Sequence, residues 1–176
     1  MKDQSSWGDE LQKLENGNTS SFSDFARKVA PSLLRYSFRI LNDRFEAEDV
    51  VQEVMVKIYF RHSSYRKESS AKTWIYKITR NSCLDRLRKF SPESMDTVDL
   101  NELYEDEFIQ FAKSDELSEI LKLAEHLNHS EKEVLYLRHL DGLEFDQIAS
   151  ITSEGLSAVK MRYKRSVDKL KEIYSE

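Results

Sequence analysis

What this chain lacks narrows its class before any motif is read. It has one cysteine, Cys83, which cannot close an internal disulfide and agrees with a reducing cytoplasm. Four glycines and two prolines among 176 residues favour helices over a strand-and-turn architecture. No apolar run approaches the roughly 20 residues that span a bilayer, so no membrane insertion is expected. The opening MKDQSSWGDELQKLEN is acidic and has no apolar stretch of the secretory-signal kind, which fits a cytoplasmic protein. Gly-rich phosphate loops, nucleophile elbows and zinc-ligand spacings are missing too. His126 and His129 stand three apart with no further Cys/His cluster and read as a surface pair. The residues therefore indicate no enzyme, no catalytic site, no metal and no cofactor.

What is present is charge, and it is segregated. The net charge of −5 hides a basic stretch at 22–90, with 15 basic and 8 acidic residues. Residues 91–116 follow with nine acids against Lys113 alone, and 157–171 hold six basic residues against Asp168. Docking to phosphates depends on such local fields more than on the total.

The apolar spacing throughout is helical, which predicts an all-α protein of two helical domains joined by an acidic linker. Residues 1–21 read as a polar tail in which Trp7 could pack against the first domain. Residues 22–41 suit a helix with a kink or restart at Pro31, followed by a break at Asn42-Asp43-Arg44. A helix over about 45–60 carries Ala47, Val50, Val51, Val54 and Ile58 on one stripe and Asp49, Gln52, Glu53 and Lys57 opposite. A polar loop at 61–71 leads to a helix over about 72–90 that stops before Pro92. Residues 91–115 are the linker and 116–176 the second domain. There 116–127 has a broad apolar face, Ser130 with Glu133 suggests a capping box, and Asp141-Gly142 ends the next helix.

Residues 144–150 and about 157–174 have helix-turn-helix proportions around the turn at 151–155, ITSEG. Leu156, Val159, Tyr163, Val167, Leu170 and Tyr174 would face the core. Arg162, Arg165 and Lys169 share one outer face, with Lys160, Lys164 and Lys171 beside it. Arg reads guanine edges in a major groove and Lys neutralises phosphates. In the 72–90 helix Lys77, Asn81, Asp85 and Arg88 make one polar face. Lys72, Lys77, Arg80, Arg86, Arg88 and Lys89 supply phosphate-binding charge, and Tyr65 in the loop before it suits contact with an unstacked base. Trp74, Tyr76 and Cys83 read as core. Three readings stay open on these features: a polymerase subunit, a helix-turn-helix regulator acting alone, and a helical adaptor whose basic faces are merely solvated.

The order of A-E-D-V-V-Q-E-V, T-W-I-Y-K-I-T-R-N-x-x-x-D-R-L-R-K and E-V-L-Y-L-R-H-L-D-G-L-E-F-D-Q-I-A…A-V-K-M-R resembles the extracytoplasmic-function (ECF) sigma factors of bacteria. The resemblance covers roughly 22–90 and 115–174. It implies an alternative sigma subunit that binds core RNA polymerase and directs promoter-specific transcription initiation. Asp49, Gln52 and Glu53 would meet the clamp helices of the β′ subunit, and the linker would pass through the enzyme, which also offers its β subunit. Tyr65, Ser70, Ala71, Lys72, Lys77, Arg80, Asn81, Asp85 and Arg88 would hold the melted single strand of the −10 element. Ser157, Lys160, Met161, Arg162, Lys164 and Arg165 would read the −35 duplex. An anti-sigma factor is an implied regulator. The chain departs from the family at Met161, where a small residue is usual, at Ala158, where a hydroxyl is, and at Ser153-Glu154-Gly155, often Gly-Ile-Pro. Glu154 near the DNA side would add repulsion.

Overall fold

The computed structural model describes residues 4–14, 19–65, 70–90, 124 and 126–175. The expected linker at 91–115, residues 66–69 and most of the helix expected at 116–127 lie outside them. Among the described residues every regular element is helical: α1 (Gln4–Leu14), α2 (Thr19–Leu41), α3 (Arg44–Arg61), α4 (Ala71–Phe90), α5 (His129–His139), α6 (Phe145–Thr152) and α7 (Leu156–Ser175), with one 3₁₀ turn at His62–Ser64. The chain divides into two compact units, residues 1–93 and the bulk of 94–176.

In the first unit α2 packs against α1, α3 and α4, and α4 also packs against α1 and α3. Val29, Leu33, Val50, Val54, Ile75 and Tyr76 are completely buried between them. Where the sequence suggests a tail, α1 is part of this core. Trp7, Leu11 and Leu14 recur at i, i+4 and i+7 and are all buried, with Trp7 stacked on Tyr76 at 6.1 Å. Pro31 does not restart the helix, since α2 runs unbroken through it. The residue is exposed, so solvent can satisfy the carbonyl that its missing N–H leaves free. Asn42 takes the left-handed conformation (φ 49°) that turns α2 into α3, and Asp43 caps α3 by accepting from the Glu46 N–H at 2.9 Å.

In the second unit α5 packs on α7. Ala124, Leu127, Leu135 and Tyr136 form a buried cluster covered by Leu140, Tyr163, Val167 and Leu170. The capping box lies two residues before the expected Ser130 and Glu133. Asn128 Oδ1 accepts from the Glu131 N–H at 2.9 Å, and Glu131 accepts from the Asn128 N–H at 3.1 Å. Ser130 instead donates to Asn128. Asn is as good an N-cap as Ser, and Glu131 gains a second tie there, to Lys169 at 2.7 Å. Asn128→Ala should therefore cost about 1 kcal/mol, seen as roughly fivefold faster hydrogen exchange at the Leu135 and Leu137 amides. Unchanged protection would show that the cap carries no weight. Gly142 holds φ 65° after α5, as the Asp141-Gly142 signal requires.

Candidate protein and nucleic-acid interfaces

α3 has two apolar faces. The inner one is the expected stripe, with Ala47, Val50, Val51, Val54 and Ile58 buried. The outer one was not legible from that stripe: Phe45 and Phe60 are 81% and 74% exposed, and Val56 and Tyr59 are exposed as well. At 100° per residue Phe45, Asp49, Gln52, Val56 and Phe60 fall on one line along the helix. Asp49 and Gln52 stand at its centre, exposed and without a partner among the described residues. An exposed apolar stripe of this length, centred on polar groups, has the composition of a docking surface. The signal was available in the sequence as apolar residues out of phase with the buried stripe.

Glu53 sits at the edge of this line and faces α4. Its carboxylate pairs with Lys57 and approaches Arg86 at 3.9 Å, while Arg86 also holds Glu46 at 3.2 Å. The Lys57 hydrogen bond, reinforced by Arg86 and Lys89, holds the Glu53 carboxyl below the usual carboxylate range. Lys57 donates onward to Ser82 at 2.9 Å. Glu46 and Glu53 thus tie α3 to α4, and Arg86 is engaged by them.

The expected −10 residues divide by position. Lys77, Asn81, Asp85 and Arg88 are exposed along one face of α4, with Arg88 hydrogen-bonded to Asp85 at 3.1 Å. Arg80 is half-buried. Lys72 lies over the rings of Trp7 and Tyr76 at 5.6 and 6.0 Å, a cation–π placement that orients its ammonium. Ser70 accepts from the Thr73 N–H at 3.1 Å and so caps α4. Ala71, also expected there, is only 2% exposed, because the first turn of α4 packs inward. Tyr65 meets Trp74 at 5.6 Å, so two half-buried rings stand together at the start of α4. Burial raises the Tyr65 phenol above its ordinary value.

The helix-turn-helix is α6, a turn, and α7. Ile151 and Thr152, expected in the turn, complete α6 and are buried. Ser153 takes the left-handed conformation (φ 59°) that ends it. Arg138 Nη1 reaches the Leu143 carbonyl at 3.0 Å and Glu144 at 2.7 Å. Tyr163 of α7 meets His139 Nε2 through its hydroxyl at 3.0 Å and packs edge-on to Phe145 at 5.0 Å. Desolvation, with the neighbouring Arg138 charge, pushes the His139 imidazole below its ordinary value.

On α7, Ser157, Ala158, Lys160, Met161, Lys164 and Arg165 are exposed together over the first half of the helix. Arg162 does not join them. Its Nη1 lies 2.8 and 2.7 Å from the two carboxylate oxygens of Glu154, so it is turned back onto the turn. The same pair balances the Glu154 carboxylate, which the sequence alone leaves as an isolated charge. Lys169 is likewise drawn away, to Glu131. Leu156 is exposed instead of buried, because the first residue of α7 has no preceding turn to cover it. Ser166 occupies the core and donates to the Arg162 carbonyl at 2.9 Å.

Among the described residues no helix is long and apolar enough to cross a membrane, and no cluster of His, Cys, Asp or Glu could hold a metal. Cys83 is buried.

Comparison with known proteins places both units. The family described as Sigma-70 region 2 matches residues 25–91, and that described as Sigma-70, region 4 matches residues 123–172. The chain is 24% identical to the ECF RNA polymerase sigma factor SigW of Bacillus subtilis over 92% of each. It is 26% identical to the ECF RNA polymerase sigma-E factor of Escherichia coli K12, over 89% of this chain and 87% of that one. Among solved structures, the sigma factor RpoE of Bartonella quintana in complex with the anti-sigma factor NepR aligns with a TM-score of 0.64 at 22% identity, over 86% of this chain and 97% of that one. CnrH in complex with the cytosolic domain of CnrY gives the same TM-score at 17% identity, over 94% and 95%.

Proposed function

The chain belongs to the sigma-70 family, in its extracytoplasmic-function branch, and from that premise we propose which of its surfaces perform the tasks of an alternative sigma factor. Such a factor binds core RNA polymerase and directs it to particular promoters. The observation that carries the assignment is the outer line of α3. A helix of the β′ clamp lies along Phe45, Asp49, Gln52, Val56 and Phe60, with the aromatic ends buried and Asp49 facing its basic groups. Glu53 contributes from the edge, braced by Lys57 and Arg86.

The exposed face of α4, with Lys77, Asn81, Asp85 and Arg88, follows the backbone of the melted −10 strand. Lys72, aimed by Trp7, adds charge at its start, and Tyr65 with Trp74 offers ring surface to an unpaired base. α7 enters the major groove of the −35 duplex through Ser157, Lys160, Met161, Lys164 and Arg165, and Arg162 keeps the turn in shape. By this reading residues 22–90 and 116–176 are the two working domains, 91–115 is the acidic connector toward the β subunit, and 1–21 includes a helix that braces the first domain. The chain performs no catalysis of its own and works in the cytoplasm, where an anti-sigma factor covering the α3 line or the α7 face would silence it.

Run-off transcription with purified core polymerase on a randomised promoter library tests this. Adding the chain should yield transcripts from templates that share a −10 and a −35 element. No transcription above that of core polymerase alone would sink the reading, and duplex binding without transcription would indicate a regulator acting by itself.

A further inference from the structure

The exposed half of α7 contains a residue that a merely solvated or phosphate-binding face would not use. Met161 is 55% exposed and takes no part in the buried cluster beneath α7. By helical phase it lies at the centre of the outward face, with Ser157 at i−4 on one side and Arg165 at i+4 on the other. Lys164 and Lys160 occupy one flank and Ala158 the other. Arg162, the remaining cation nearby, is held by Glu154 at 2.7 Å and leaves this centre apolar.

In a helix-turn-helix the first turns of the second helix reach the base edges, and Met161 is in the second turn of α7. The chemistry available to a thioether there is limited. It has no donor for guanine or adenine acceptors, and it is soft and unbranched enough to fit a shallow apolar bump. Only one base edge in the major groove presents such a bump, the C5-methyl group of thymine.

We propose that Met161 is a specificity-determining residue that packs on a thymine methyl in the −35 duplex. Ala158 borders the same contact, and Arg165 reads the neighbouring base pair. The inference rests on the placement of α7 in that groove.

Deoxyuridine differs from thymidine by this methyl alone, so it isolates the contact. The probe is a promoter fragment selected from the randomised library by polymerase carrying the full-length chain. Each thymine of its −35 element is replaced in turn by deoxyuridine, and binding is measured for the wild-type, Met161→Ala and Met161→Leu holoenzymes. Wild type should lose roughly fourfold at one position, the factor equivalent to burying one methyl-sized group. Met161→Ala should bind the thymine fragment about as weakly as wild type binds the uridine one, and should no longer distinguish the two. Met161→Leu should keep the discrimination. Equal binding to every uridine fragment by wild type overturns the proposal, as does discrimination that survives in Met161→Ala or a selected element without thymine. Selection of no −35 element at all overturns the placement of α7 itself, a different failure.

Discussion

Replacing Asp49 by Lys should weaken binding of the chain to core RNA polymerase at least tenfold while leaving its unfolding midpoint unchanged. Asp49 is exposed, its side chain makes no hydrogen bond or ion pair among the described residues, and it sits between Phe45 and Val56 on the outer line of α3. The helix therefore loses nothing internal when its charge reverses. The partner surface loses an attractive group and meets a repulsive one inside a patch that aromatic residues keep dry. Removing one member of such a desolvated pair costs about 2–5 kcal/mol, and an exposed rim pair far less. The tenfold floor corresponds to about 1.4 kcal/mol, toward the lower limit for a partly dry site. Asp24→Lys on α2 is the control, since Asp24 is exposed and pairs only locally with Arg27 at 3.1 Å. A titration of labelled chain with core polymerase, run beside thermal unfolding, decides the matter. Equal affinities for wild type and Asp49→Lys would remove α3 from the interface.

The outer line also shows where reading the sequence stops. Periodicity finds one apolar stripe per helix, and for α3 the inner stripe of Ala47, Val50, Val51, Val54 and Ile58 was legible residue by residue. Phe45, Val56 and Phe60 break that period, and a pattern search that seeks a single buried face treats them as noise. Packing of Trp7 was foreseeable, but the helix that carries it was hidden for another reason. Trp7, Leu11 and Leu14 form a correct helical pattern but only three positions of it, and an isolated helix as short as α1 is marginal without a partner. Tyr76, far along the chain, supplies that partner.

Phase alone says least about Arg162. It groups that residue with Arg165, but Glu154 lies across a turn whose geometry no local rule provides, and the two side chains pair. The helix-turn-helix, by contrast, was legible in outline, because its signals are local: a short apolar helix, a turn and a long basic helix; the turn is shorter than the sequence suggests and Leu156 is exposed. The capping error at α5 is intermediate. Two acceptable caps stood two residues apart, and only the additional tie from Glu131 to Lys169 favours Asn128.

Replacing Lys160 and Lys164 by Ala should lower the salt dependence of −35 binding, and adding Arg165→Ala should also relax its sequence preference. The two Lys side chains flank the centre of the α7 face and have no partner among the described residues, so their charge is available to phosphate. Each neutralised phosphate contributes about 0.9 to the slope of log affinity against log salt, so the double variant should lower the slope by about 1.8 and the affinity by roughly thirtyfold at about 0.15 M salt. Arg165 lies one turn beyond Met161, where its fork can reach guanine O6 and N7. Its loss should cost a further 1–3 kcal/mol, roughly, against the preferred base and nearly nothing against the others. Arg162→Ala should behave differently from both. It removes no free cation but exposes the Glu154 carboxylate, so binding should weaken on every sequence alike and Glu154→Gln in the same chain should restore most of it. Full-length chain titrated against −35 duplexes from about 0.05 to 0.4 M salt separates these outcomes. A slope unchanged in the Lys double variant would take α7 off the phosphates. An Arg162→Ala defect confined to one base pair would return Arg162 to the groove.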